Sequence, residues 1–305
     1  MRTNSTPPMA YVTGATNQIG RFLLPRLCNA GFTVTAISRQ NQSNSAEVIW
    51  QQADLQTFSL PMNRQQSLLF HIAPLPLLPP LLARLPKNAA LTRVIAFSST
   101  SALTKAASPE PRERKIAAQL TEAETASIAA CQAHNIAWTL FRPTLIYGCG
   151  IDKNVTFIAQ FIRRRGFFLL VGQGTGRRQP VHADDLAAAC VQAYQSLASV
   201  NQTYNLSGGQ TLSYRDMVTN IFHQLGKKPR IIAIPLPVFY LMVRCITWLP
   251  AYAHLSTAMI MRMNQDLCFD KTAACQDFGY NPRTFSDNDM GFEEIWDRKL
   301  LNPHS

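Results

Sequence analysis

Short apolar runs alternate with segments of helical periodicity up to about residue 200, the pattern of parallel strands covered by helices on both faces. Met9 to Thr13 reads as a strand, Gln18 to Ala30 as a helix closed by Gly31, and Phe32 to Ile37 as the next strand. Glu47 to Gln51 and Ser67 to Ile72 follow as strands. Proline breaks the leucine-rich Pro74 to Leu85 into a loop and a short helix. Arg93 to Phe97 is a strand, Glu113 to His134 an alanine-rich helix, and Ile136 to Phe141 a strand ending at Arg142-Pro143. Beyond Gly150 the alternation loosens: a helix over Val155 to Arg164, a loop holding Gly172, Gly174 and Gly176, and a helix starting near Asp184. From Thr211 the pattern is mainly helical, which predicts a smaller lobe closed by Phe269 to Phe285. The expected division is 8–210 and 211–305.

Composition narrows the class. With 305 residues, 47% hydrophobic and 15% charged, the chain is a globule rather than a disordered tail. Its formal charge of +11 favours anionic partners: nucleotides, phosphorylated sugars, nucleic acid or a lipid surface. The seven cysteines show no zinc spacing and read as reduced and mostly buried, so no metal is expected. The first residues lack the apolar run of a signal peptide, so cytoplasm is the expected location. Pro235 to Pro250 is the most membrane-like stretch; it carries Arg244 and is too short to span a bilayer, which leaves a core helix or an interfacial one.

Thr13-Gly14-Ala15-Thr16-Asn17-Gln18-Ile19-Gly20 sits between the first strand and the first helix, where backbone N–H groups and a helix N-terminus cradle a pyrophosphate. Further marks follow in order. They are Ala53-Asp54-Leu55, His71-Ile72-Ala73-Pro74, Ser98-Ser99-Thr100-Ser101, Arg142-Pro143-Thr144 with Ile146-Tyr147-Gly148, Arg178 to Leu186, Tyr204-Asn205-Leu206 and Phe278 to Pro282. Taken together they resemble the short-chain dehydrogenase/reductase superfamily, in its extended or atypical branch of nucleotide-sugar epimerases and dehydratases. Asn17 stands where that branch usually has its middle glycine. The resemblance implies an α/β fold: a Rossmann-type doubly wound parallel sheet with a smaller, mainly helical C-terminal substrate lobe. It also implies a dinucleotide held by Gly14, Thr16, Asn17, Gln18, Ile19, Gly20, Ser38, Arg39, Asp54, Leu55, Ala73, Pro74, Pro143 and Thr144, and a homodimer formed through Glu113 to His134 and Asp184 to Ser196.

The second strand ends in Ser38-Arg39 with no acid for a ribose 2′-OH; a forked guanidinium suits a 2′-phosphate, so NADP is expected over NAD. The branch's catalytic Tyr, with a Lys four residues on, is missing: no tyrosine of this chain has Lys at that distance, and the corresponding places fall near Ile116 and Leu120. The remaining candidates are Thr100 and Ser101 as substrate-facing hydroxyls, with Lys105 or Lys115 as a replacement cation. Arg178 and Asn154 resemble the residues that hold the diphosphate of a nucleotide-sugar. Asp184 or Asp185 reads as the cap of the following helix, and His182 and Tyr147 as structural. Arg163-Arg164-Arg165 and Lys227-Lys228-Pro229-Arg230 are basic clusters without a nucleic-acid motif; the second adjoins the apolar Ile231 to Leu249, a pattern compatible with peripheral membrane contact. Two functions remain open: an NADP-dependent oxidoreductase or epimerase acting on a small molecule such as a nucleotide-sugar, and a non-catalytic dinucleotide-binding scaffold or redox sensor with a protein or membrane partner.

Overall fold

The computed structural model describes residues 8–61, 66–86, 89–235, 237–239 and 262–285. The first residues to Pro7, Cys245 and nearly all of the apolar stretch to Pro250 lie outside the described residues, as do 286–305.

Six strands, β1 (Met9–Thr13), β2 (Thr33–Ser38), β3 (Val48–Gln52), β4 (Ser67–His71), β5 (Leu91–Phe97) and β6 (Ala137–Pro143), follow the predicted order. The short strands β7 (Ile146–Tyr147), β8 (Phe168–Val171), β9 (Arg177–Arg178) and β10 (Val181–His182) precede β11 (Gln202–Leu206), β12 (Leu212–Ser213) and β13 (Ile231–Ile234). The main sheet has seven strands in the order β11-β6-β5-β4-β1-β2-β3, and its neighbours run parallel. Order reverses between β1 and β4, which opens a crevice at their carboxyl ends.

Helices α1 (Gln18–Asn29), α2 (Leu78–Ala83), α3 (Ser101–Thr104), α4 (Pro111–Ala133), α5 (Val155–Arg165), α6 (Ala183–Gln195), α7 (Tyr214–Gln224) and α8 (Thr272–Phe278) complete the described elements with a few short 3₁₀ turns. The strands read as unbroken apolar runs because both sheet faces are covered. Val12, Val34 and Phe70 pack with α1 and α6 on one face. Tyr11, Leu69 and Val94 pack with α2 and α4 on the other. A third core joins α5, α7 and β8 with Phe285.

Past residue 211 the described chain adds strands as well as helices. Leu212 and Ser213 pair with β9 and Ile231–Ile234 with β8. The expectation of mostly buried cysteines is corrected: Cys131 and Cys190 are buried, but Cys268 and Cys275 are exposed and Cys28 and Cys149 half-buried. Only the first two sit where core packing requires a small apolar side chain.

Candidate functional site

The turn from β1 to α1 is built from two special residues. Gly14 has φ +73°, and a Cβ there would lie 2.6 Å from the Ala73 nitrogen, so the chain after β4 closes directly over it. Asn17 has φ −75°, an ordinary conformation, and it caps α1: its Oδ1 accepts from Gly20 N–H at 2.9 Å. Its Nδ2 donates to the Ile72 carbonyl at 2.6 Å. The side chain at the middle-glycine place is thereby absorbed into the helix cap and a strap to β4. Among the described residues the Gln18 and Ile19 N–H groups have no partner, leaving two donors and the positive end of α1 for an anion.

His71 fixes the neighbouring strand end. Its Nε2 lies 3.2 Å from the Pro74 carbonyl, an acceptor, so that nitrogen carries the hydrogen and Nδ1 accepts from Thr13 Oγ1 at 2.8 Å. Burial holds this imidazole neutral, its pKa lowered to about 4.

One side of the turn opens on a cavity of about 270 Å³. Gly14, Thr16 and Asn17 line it from the turn, Ser38 and Arg39 from the end of β2, Asp54 and Leu55 beyond β3, and Ala73 and Pro74 beyond β4. These are the places expected for a dinucleotide's adenosine half. Gly20 does not line the cavity: it packs against the Ala15 backbone, where a Cβ would overlap the Ala15 carbonyl, and Asn17 takes its N–H. Ile19 is buried in the core and contributes only its backbone.

The other side opens on a larger cavity of about 440 Å³. Thr100, Ser101, Thr144, Asn154 and Arg178, all anticipated from the sequence, share its wall. Pro143 stands behind it: its carbonyl accepts from both Thr100 N–H at 3.2 Å and Thr100 Oγ1–H at 3.0 Å. With its hydrogen so engaged, Thr100 offers a substrate an acceptor rather than a proton. Lys105 lines the cavity and Lys115 does not, while Ile116 and Leu120, on α4, are also outside it. Asp152, Lys153 and Phe269 also line this wall without having been expected there, as does Gln179 from the Arg178 to Leu186 signature. Gln179 is a plain neighbour of Arg178, but Phe269 arrives from the far end of the chain and had no local signal. Gln18 also lines this cavity, and its Oε1 is buried with no hydrogen-bond partner among the described residues.

Asn154 occupies the position before α5, but the capping oxygens come from Asp152, whose Oδ1 accepts from the Asn154 and Thr156 N–H groups. Arg178, 5% exposed, donates from Nη1 to the Arg177 and Gln265 carbonyls at 2.8 and 2.6 Å and lies over the Tyr214 ring. Burial pushes the Tyr214 hydroxyl up to about 12 against the opposing effect of Arg178, so this phenol remains protonated at neutral pH.

The expected Asp cap of α6 is corrected. His182 is the cap, its Nδ1 accepting from Asp184 N–H. Asp184 instead binds Arg26 and Arg283, and Asp185 binds Arg283. Two carboxylates in a first turn complement the helix dipole without capping it. Burial, reinforced by Arg283 and opposed by Asp184, lowers His182 to about 4. Tyr147, 1% exposed, stacks edge-on against His182 and Phe285, as a structural residue should. Behind the larger cavity Arg142 pairs with Glu124, which also accepts from Ser98 Oγ at 2.5 Å, tying β5, β6 and α4 together.

Comparison with known proteins places this geometry. Residues 81–207 match the NAD dependent epimerase/dehydratase family. The mitochondrial NADH dehydrogenase [ubiquinone] 1 alpha subcomplex subunit 9 of Arabidopsis thaliana is 30% identical over 101 residues, 33% of this chain and 25% of that protein. An NAD(P)H azoreductase of Xenophilus azovorans is 31% identical over 105 residues, 34% of this chain and 35% of that protein. The chain therefore spans about a quarter to a third of these relatives. Among solved structures, UDP-glucose 4-epimerase of Thermotoga maritima with UDP-glucose superposes with a TM-score of 0.71 at 14% identity, covering 96% of this chain and 100% of that one. UDP-glucuronic acid 4-epimerase of Bacillus cereus, in complex with UDP-glucuronic acid and NAD, gives 0.70 at 14% identity, covering 96% and 99%. Residues 81–207 are thus similar to the NAD dependent epimerase/dehydratase family, and the chain has the fold seen in the UDP-sugar epimerases.

Proposed function

We propose that the protein binds NADP across the β1–α1 turn and presents it to a small anionic substrate with a hydroxyl or carbonyl group, such as a nucleotide-sugar. The observation that carries this reading is the pair of cavities flanking Gly14 to Gly20, with Gln18 lining the larger and Asn17 the smaller. The Gln18 and Ile19 N–H groups would hold the pyrophosphate, Arg39 the 2′-phosphate, and Asp54 and Leu55 the adenine end. When bound, the nicotinamide supplies hydride exchange. Lys105, Lys153 and Arg178 outnumber the one carboxylate, Asp152, in the lining of the larger cavity and leave it net cationic, and Ser101 and Thr100 would orient the substrate oxygen. In this reading residues 8–210 hold the dinucleotide and 211–305 form the smaller lobe.

A second reading is a dinucleotide-binding scaffold or sensor without turnover. It is favoured by Ile116 and Leu120 at the Tyr and Lys places and by the engagement of the Thr100 hydroxyl with Pro143. Calorimetric titration of dinucleotide-free protein with NADPH and NADH tests the shared core of both. Binding of NADPH at least tenfold tighter is expected, and a folded protein that binds neither would overturn both readings. A substrate screen then separates them: on the NADP+-loaded protein, oxidation of a nucleotide-sugar hydroxyl with formation of NADPH, or its epimerisation, supports the enzyme, and unaltered substrates under tight dinucleotide binding support the scaffold.

A further inference from the structure

Eleven of the 29 lysines and arginines fall in two stretches, residues 153–183 and 217–265, that contain no Asp or Glu. The other 18 cations balance the chain's 18 acids, so the entire formal charge of +11 resides in these stretches.

The fold draws six of these cations, Arg163, Arg164, Arg165, Lys227, Lys228 and Arg230, to one ribbon, whereas Lys153 and Arg178 line the larger cavity and Arg177 pairs with Asp266. Strands β8 and β13 pair in parallel with Leu169 opposite Ile232. The Phe168 N–H donates to the Arg230 carbonyl at 2.9 Å, and Lys227 Nζ donates to the Arg163 carbonyl at 3.4 Å. The two clusters that are far apart in sequence are thereby joined: Arg163, Arg164 and Arg165 in the last turn of α5, and Lys228 and Arg230 ahead of β13, all exposed. A helix C-terminus accounts for cations on α5 through its dipole but not for Lys228 and Arg230.

The same surface is apolar between its charges. Paired residues point to one side of a ribbon. Phe168 and Leu170 turn inward to the core shared with α5 and α7, and Leu169 and Ile232 face outward, 40% and 52% exposed. Phe157, 58% exposed, shares a shallow depression with Phe161, Arg164 and Arg165. A phosphodiester backbone would pair with the cations and leave these side chains in water. A bilayer interface takes both.

We propose that the β8–β13 ribbon, with the side of α5 that carries Phe157, Arg164 and Arg165, docks the protein on an anionic lipid bilayer. The basic side chains meet phosphate and carboxylate headgroups, and Phe157, Leu169 and Ile232 enter the acyl boundary. Among the described residues no helix is long and apolar enough to cross a membrane. Helix α5 sets Asn154 at the larger cavity and the arginines at its other end, about 16 Å away, so the basic part of the contact stands clear of that cavity.

Flotation of the full chain with phosphatidylcholine vesicles, with and without phosphatidylserine, tests this. Binding only to the anionic vesicles, weakened by salt, is expected. Joint Arg164→Glu, Arg165→Glu, Lys228→Glu and Arg230→Glu should lower partitioning roughly 100-fold or more. Leu169→Ser with Ile232→Ser should lower it about tenfold with the charge unchanged. Retained NADPH binding and thermal unfolding report that each variant is folded, and the serine pair keeps the test decisive if the charge reversal does not fold. The proposal is overturned if the folded chain floats with neither vesicle, or equally with both. It is also overturned if the serine pair binds like the parent while a single-stranded oligonucleotide strips the protein from the vesicles, since the surface would then be a simple polyanion site.

Discussion

At the β1–α1 turn, conformational freedom and capping are assigned to different residues. Gly14 has the positive φ and the close approach to Ala73, whereas Asn17 needs neither and uses its amide to close the helix. A larger side chain at Gly14 would meet protein backbone rather than ligand, so its effect would reach the fold as well as binding. Arg39 is the cleaner probe, because it lines the smaller cavity and is exposed. Arg39→Asp should weaken NADPH at least tenfold and leave NADH within a few-fold, with unchanged thermal unfolding; equal loss of both, read by calorimetry, would remove the 2′-phosphate role. The glycine-to-glycine spacing was legible because the motif is local. The consequence of Asn17 was not, since its strap partner lies on β4, 55 residues away.

The same distinction holds for whole elements. The six predicted strands of the main sheet and the helices between them formed close to their expected limits, because a strand buried on both faces is an apolar run and a covering helix has one apolar stripe. The two-residue strands β7, β9, β10 and β12 escaped notice, being too short to show any periodicity. The start of α6 was misread for a different reason. Asp is a common cap, but at Asp184 and Asp185 the carboxylates are drawn off by Arg26 and Arg283, which come from elements distant in sequence. Helix α1 offers the direct test of an element. Asn17→Ala removes both the cap to Gly20 and the strap to Ile72, and should cost about 1–2 kcal/mol in urea unfolding. Asn17→Gly should cost less at the cap itself while still losing the strap.

For the molecule as a whole, two buried histidines tie stability to pH. His71 and His182 are each lowered from 6.5 to about 4, so the unfolded chain binds protons more readily than the native one between these values. Their full contribution is present above about pH 6.5 and is lost as pH falls toward 4. Between pH 7 and pH 5 the loss is about 2 kcal/mol for each, visible as a lower urea midpoint; an unchanged midpoint would refute the neutral burial of both rings. Asp184 has the opposite cause. Burial pushes its carboxyl up, but hydrogen bonds from Arg26 and Arg283 hold it below its ordinary value, so its contribution fades only at lower pH. The sequence by itself determined the doubly wound sheet, the glycine turn between β1 and α1, the absence of a Tyr with Lys four residues on and the excess of positive charge, because each is a local pattern or a count. Tertiary structure alone decided that Lys105 and not Lys115 lines the larger cavity, that the Thr100 hydroxyl binds Pro143, and that the Arg163 and Lys227 clusters form one surface. Those facts depend on which side chains meet across distant strands, and no local periodicity encodes that.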